Sequence, residues 1–98
     1  MEWFVYLLYS PKIDRYYIGS TDDKLWRLER HNRGWGRYTQ RGIPWKMVHF
    51  EIYKTKTEAL KREKEIKKWR REKKNNLVMT MNPEWKDLSI EWQAAKHW

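Results

Sequence analysis

The sequence predicts a small α+β domain, and three observations carry that prediction. Three runs rich in β-forming residues stand at Trp3–Tyr9, Arg15–Ser20 and Trp45–Tyr53. Helical patterning fills the gap after the second run and most of the chain beyond the third. The length, 98 residues, suits one domain around one modest core.

Trp3–Tyr9 (WFVYLLY) is apolar on both faces when extended, as a central strand requires. Ser10-Pro11-Lys12 reads as a turn, with proline presetting the backbone. Arg15–Ser20 then returns antiparallel, and a turn centred between Pro11 and Lys12 sets Tyr6 opposite Tyr17. Thr21, Asp22 or Asp23 can cap a following helix, which Leu25 and Leu28 give a thin apolar stripe. Arg27 and His31 stand four residues apart on it, on one face. Gly34 can end that helix. The loop from Gly34 to Pro44 is long and both basic and aromatic, which favours a binding role.

In Trp45–Tyr53, Met47, His49, Glu51 and Tyr53 alternate with Val48, Phe50 and Ile52. Thr55 and Glu58 form a capping-box pattern before a long helix. Ala59, Leu60, Ile66 and Trp69 mark its buried stripe, and Glu63 falls inside that stripe. A further helix is expected from Arg70 to about Thr80, and a short last one over Glu84–Trp92 after Pro83. The chain thus divides into a main unit, 1–80, and an extension, 81–98.

Lys and Arg number 22 against 13 Asp and Glu, a formal net charge of +9. That excess points first to nucleic acid, and otherwise to a basic surface with no assigned partner. The absence of cysteine excludes disulfides, thiolate metal sites and cysteine nucleophiles, and fits a reducing compartment. The longest apolar run, Trp3–Tyr9, is far short of the about 20 residues that span a membrane, so a cytoplasmic protein is expected. Eight tryptophans exceed what a small core needs; packing is their commoner use, stacking on bases the other. No phosphate-cradling glycine loop and no Ser-His-Asp constellation stands out.

Glu63 is the most informative residue. A carboxylate facing a core is costly unless it is paired or binds a metal, and both readings stay open from the helix alone. One carboxylate completed by phosphate oxygens and waters suits Mg²⁺. Arg27 has the fork that binds phosphate, and His31 could orient or deprotonate an attacking group. Tyr6 and Tyr17 add aromatic hydroxyls. His49 and His97 have no partner at metal-binding spacing and receive no chemistry.

The order Phe4-Val5-Tyr6, Tyr17-Ile18-Gly19, Arg27, His31, Glu63 resembles the GIY-YIG nucleases. The likeness is to their small single-domain bacterial branch, related to the nuclease domain of the excision-repair C subunit. It spans roughly residues 3–78, and the YYIGST and EALKREKEIKKW strings are its specific parts. The first motif departs from the family, with Phe4-Val5 replacing Gly-Ile and only Tyr6 kept. The resemblance implies a three-stranded antiparallel sheet flanked by helices, and an endonuclease that hydrolyses DNA phosphodiesters in repair or recombination with one Mg²⁺ or Mn²⁺. It implies that Glu63 holds the metal, Arg27 neutralises the phosphate, and Tyr6 activates water with help from His31 and Tyr17. Asn75, twelve residues after Glu63, matches an asparagine of some members. Arg27, Arg37, Tyr38, Arg41 and Lys67 are the expected nucleic-acid contacts, and a protein partner could supply selectivity. The alternative is a binding module that keeps the fold without turnover.

Overall fold

The computed structural model describes residues 2–22, 32 and 40–89. Strands β1 (Trp3–Ser10), β2 (Arg15–Thr21) and β3 (Lys46–Tyr53) form one antiparallel sheet in the order β2-β1-β3. β1 is central because both its faces are apolar. Val5 and Leu7 pack on one side with Ile18 and Val48, Tyr6 and Leu8 on the other with Trp45 and Met47. Helices α1 (Lys56–Lys67) and α2 (Arg71–Met81) cover the first side through Ala59, Ile66 and Val78. Thr55 caps α1, its hydroxyl accepting from the Glu58 amide at 3.3 Å. No helix among the described residues is long and apolar enough to cross a membrane.

The structure departs from the sequence expectations in four places. Ser10 pairs with Arg15, so the first turn is two residues longer than proline placement suggests. Asp14 closes it with φ 54, a left-handed conformation that aspartate tolerates, and its amide bonds to the Ser10 carbonyl at 2.8 Å. Tyr6 therefore lies opposite Gly19, and Tyr17 opposite Leu8. A shift of two residues preserves the faces, so both tyrosines stay on the same side of the sheet.

The second departure is a β-bulge. Leu7 pairs with His49 and Leu8 with Met47, leaving Val48 as the extra residue. Val48 turns to the helices, the face that His49 shares through its pairing with Leu7, and Met47 to the opposite core, so alternation breaks between Val48 and His49. Third, Leu60 is 39% exposed, because Ala59 and Ile66 define the buried face of α1.

Fourth, the last helix does not begin at Glu84: Ser89 is the first helical residue described after Met81, and 90–92 lie outside the described residues. Trp85 has φ 56, which a helix does not accommodate. The segment instead runs along the outer edge of β3. The Met47 amide donates to Asp87 at 3.2 Å, the Leu88 amide to the Met47 carbonyl at 2.8 Å, and Asn82 Nδ2 to the Val48 carbonyl at 3.1 Å. An open strand edge needs partners, and these residues supply them.

Candidate active site

The edge strand β2 organises the site, because residues from both sides of the sheet meet it at Gly19 and Ser20. On the side away from α1 and α2, the Tyr6 and Tyr17 rings stack with centroids 6.5 Å apart and planes at 24°. Tyr17 also meets the edge of Trp45 at 6.4 Å. The Tyr6 hydroxyl lies directly over Gly19: a Cβ there would stand 2.4 Å from it. Glycine at this position is thus a requirement of space. Tyr6 is only 2% exposed, and Tyr17 is half-buried.

The other side carries the carboxylate. Ser20 pairs with Val5, which points its side chain toward α1. There its hydroxyl donates to Glu63 Oε1 at 2.5 Å. Lys67, one helical turn on, donates to Glu63 Oε2 at 2.7 Å. The Glu63 side chain is 16% exposed and that of Lys67 52%, so the carboxylate is sheltered while its cation is a surface group. The carboxylate is thus ion-paired, but by a lysine with solvent to move into. A tyrosine hydroxyl and a carboxylate are therefore brought to consecutive β2 residues, whose Cα atoms are about 3.8 Å apart. They reach it from opposite faces.

Arg27, His31, Arg37 and Tyr38 lie outside the described residues. Asn32, next to His31, is held to the Trp45 backbone, accepting its N–H at 2.7 Å and donating to its carbonyl at 3.2 Å. That contact ties Asn32 to the residue before β3, whose ring packs with Tyr6 and Tyr17. Arg41 is exposed in the turn before β3. Asn75 is placed elsewhere on β2: its Oδ1 accepts from the Tyr16 hydroxyl at 2.5 Å. Tyr16 is four residues from Ser20, about 13 Å along the strand.

Two groupings escaped the sequence reading. Ser20 was visible in the YYIGST string, but nothing there showed that it would hold Glu63. The other is a polar network under α1. Glu51 accepts from His49 Nε2 at 2.9 Å, Tyr53 Oη at 2.6 Å, and Arg62 Nε and Nη2 at 2.8 and 3.1 Å. Burial alone would raise the Glu51 pKa, but these bonds together pull it down to about 2. Burial, and then the bond to Glu51, push the Tyr53 hydroxyl up to about 12. The alternation of His49, Glu51 and Tyr53 on one strand face was the available signal.

Three comparisons with known proteins bear on this arrangement. The sequence pattern of the GIY-YIG catalytic domain matches residues 2–76. The chain belongs to the GIY-YIG family. Its relatives include UPF0213 proteins of Staphylococcus aureus, for example in strains Mu3 and N315, each 49% identical over 63 residues. That match covers 63% of this chain and 77% of the relative. Among solved structures, the UPF0213 protein BH0048 from Bacillus halodurans is similar with a TM-score of 0.58 and 32% identity. It covers 89% of this chain and 93% of that one. The chain is thus a small GIY-YIG protein with the three-stranded antiparallel sheet and helices of that group.

The GIY-YIG domain marks a family of nucleases that generally use a divalent metal, so the donor set at Glu63 can be tested for fit. No group of three or more His, Asp or Glu side chains among the described residues could cage an ion. One sheltered carboxylate beside a hydroxyl, paired among the described residues with a half-exposed surface ammonium, fits a hard cation that keeps most of its waters.

Proposed function

We propose that this GIY-YIG chain is a divalent-metal-dependent endonuclease that hydrolyses phosphodiester bonds in DNA. The observation that supports it most is the meeting of the Tyr6 hydroxyl and the Glu63 carboxylate at Gly19-Ser20. Glu63 would hold one Mg²⁺ or Mn²⁺, with the Ser20 hydroxyl fixing the carboxylate's orientation. When bound, the ion supplies electrostatic stabilisation of charge developing on the phosphate.

The chain's own residues do the remainder. Tyr6, packed against Gly19, is fixed in position and orients the attacking water. Tyr17 stacks on it and holds it from the side. Arg27 pairs with the phosphate through its planar fork. His31 accepts or shares the proton that leaves the nucleophile. Arg37, Tyr38 and Arg41 follow the backbone of the DNA. Lys67 leaves Glu63 for a phosphate oxygen when substrate and metal arrive, a displacement that its exposure permits. The substrates in view are DNAs with a structural irregularity, such as repair or recombination presents, with a protein partner adding selectivity.

The test is incubation with branched, nicked and plain duplex DNA in Mg²⁺ or Mn²⁺. Glu63→Ala is expected to lose cleavage by about a hundred-fold or more while keeping its fold, since a catalytic metal is worth several kcal/mol. Cleavage by that variant at the wild-type rate rules out the metal-holding role.

A second reading is a nucleic-acid-binding module without turnover. The burial of Tyr6 to 2% exposure favours it, because a covered hydroxyl has little access to water. It predicts salt-sensitive DNA binding with no product in either metal.

A further inference from the structure

A second site lies at the far end of the sheet from Glu63. An open cavity of about 340 Å³ is lined by Tyr9, Asp14, Lys46, Arg71, Asn75 and Trp85. Its size falls within the range of small-ligand pockets. Asp14 and Trp85, with φ 54 and φ 56, are the positive-φ residues other than glycine among the described residues, and both line it. Left-handed backbone in an aromatic residue is uncommon, and such strain gathers at binding sites.

The chemistry of the lining is specific. The Trp85 ring is held edge-on to Tyr9 at 5.2 Å, and its indole N–H points to the Met79 sulfur at 3.4 Å. It is nevertheless only half-buried, an aromatic group held between Tyr9 and, at 6.1 Å, Tyr16 on the cavity wall. The Asp14 carboxylate is satisfied by the Tyr9 hydroxyl and by Arg71, so the acid of this cavity is neutralised. Lys46 is not. Its ammonium donates to the Trp85 carbonyl at 2.8 Å and has no acidic partner among the described residues. Asn75 accepts from Tyr16 through Oδ1, which leaves the amide N–H groups of this lining residue for an acceptor. A held aromatic ring, an uncompensated ammonium and an amide donor together suit a planar base joined to a phosphate.

We propose that this cavity binds one nucleotide of an unpaired strand, with its base against Trp85 and its phosphate at Lys46. Tyr16, which bonds Asn75, and Ser20, which bonds Glu63, point to the same side of the sheet about 13 Å apart. At the 3.4 Å rise per nucleotide of one DNA strand, that is about four nucleotides. Resting on the nuclease reading, this spacing makes the substrate a DNA with an unpaired strand running from the scissile bond. The nucleotide pocket itself does not depend on cleavage.

The probes are a deoxynucleoside monophosphate, the matching nucleoside and inorganic phosphate, titrated into the isotope-labelled chain. The NMR signals to follow are the Trp85 indole N–H and the Asn75 side-chain amide. The monophosphate is expected to shift both and to bind about ten-fold tighter than the nucleoside or phosphate. Glu63→Ala should bind it as wild type does, which separates this site from the nuclease centre. In a second arm, DNA with a single-stranded overhang should bind about ten-fold tighter than blunt duplex. Trp85→Leu, and independently Lys46→Gln with a native spectrum, should erase that preference. The proposal is overturned if the monophosphate leaves the Trp85 indole unmoved, or if both variants retain the overhang preference. Binding of the free monophosphate without an overhang preference overturns the assignment to a strand.

Discussion

Replacing Glu51 by glutamine should remove most of a stabilising term that is tied to pH. In the folded chain the carboxylate lies at about 2, against 4.5 for a free glutamate. Burial works against that lowering, and the bonds from His49, Arg62 and Tyr53 overcome it. The sign follows from linkage. A folded pKa below the unfolded one adds stability that is complete above the unfolded value and is lost as pH falls through the folded one. The gap corresponds to about 3 kcal/mol near neutrality, of which about 2 is lost by about pH 3. The side chain is 17% exposed, so solvent screening reduces this only modestly. Glu51→Gln keeps the shape but accepts on one atom only, leaving the half-buried Arg62 with the exposed Glu65 as its remaining counter-charge.

Urea unfolding of wild type and variant at about pH 7, 5 and 3 measures the difference directly. The variant should be about 3 kcal/mol less stable at the highest pH, with the gap narrowing to about 1 at the lowest. Comparing the two chains cancels the other acids, including Asp14, whose pKa the Tyr9 hydroxyl and Arg71 lower. A gap that stays constant with pH refutes the lowered carboxylate as its source, and one below about 0.5 kcal/mol throughout refutes the network as a source of stability.

Gly19→Ala should destabilise the fold by about 1–3 kcal/mol, since the new methyl would meet the Tyr6 hydroxyl and ring carbon at 2.4 and 2.6 Å. Thermal unfolding checks it, and Gly19→Ala with Tyr6→Phe should recover part of the loss. Ser20→Ala removes one of the two bonds to Glu63 and should cost about 1 kcal/mol of stability. Under the nuclease reading it should also lower cleavage by about ten-fold through looser placement of the carboxylate, read as a fall in kcat with DNA binding unchanged.

The sheet was legible because its evidence is local. The two apolar faces of Trp3–Tyr9 place β1 in the centre, and Thr55 with Glu58 marks the start of α1. What escaped depends on contacts between distant residues. The longer first turn rests on the left-handed Asp14, which Tyr9 and Arg71 hold. The bulge at Val48 goes with an edge of β3 that bonds to residues 82–88, a partner that no pattern within the strand reveals. Glu63 shows the same limit at the candidate site. Its place in an apolar stripe signalled an unusual carboxylate, yet only the register of β2 decides which group meets it. Because Ser20 faces α1 and Gly19 faces Tyr6, the acid and the tyrosines lie on opposite sides of one strand. Their shared ground is the outer edge of β2, which pairs with no other described strand. A phosphate reached by both must therefore lie against that edge, and not over either face of the sheet.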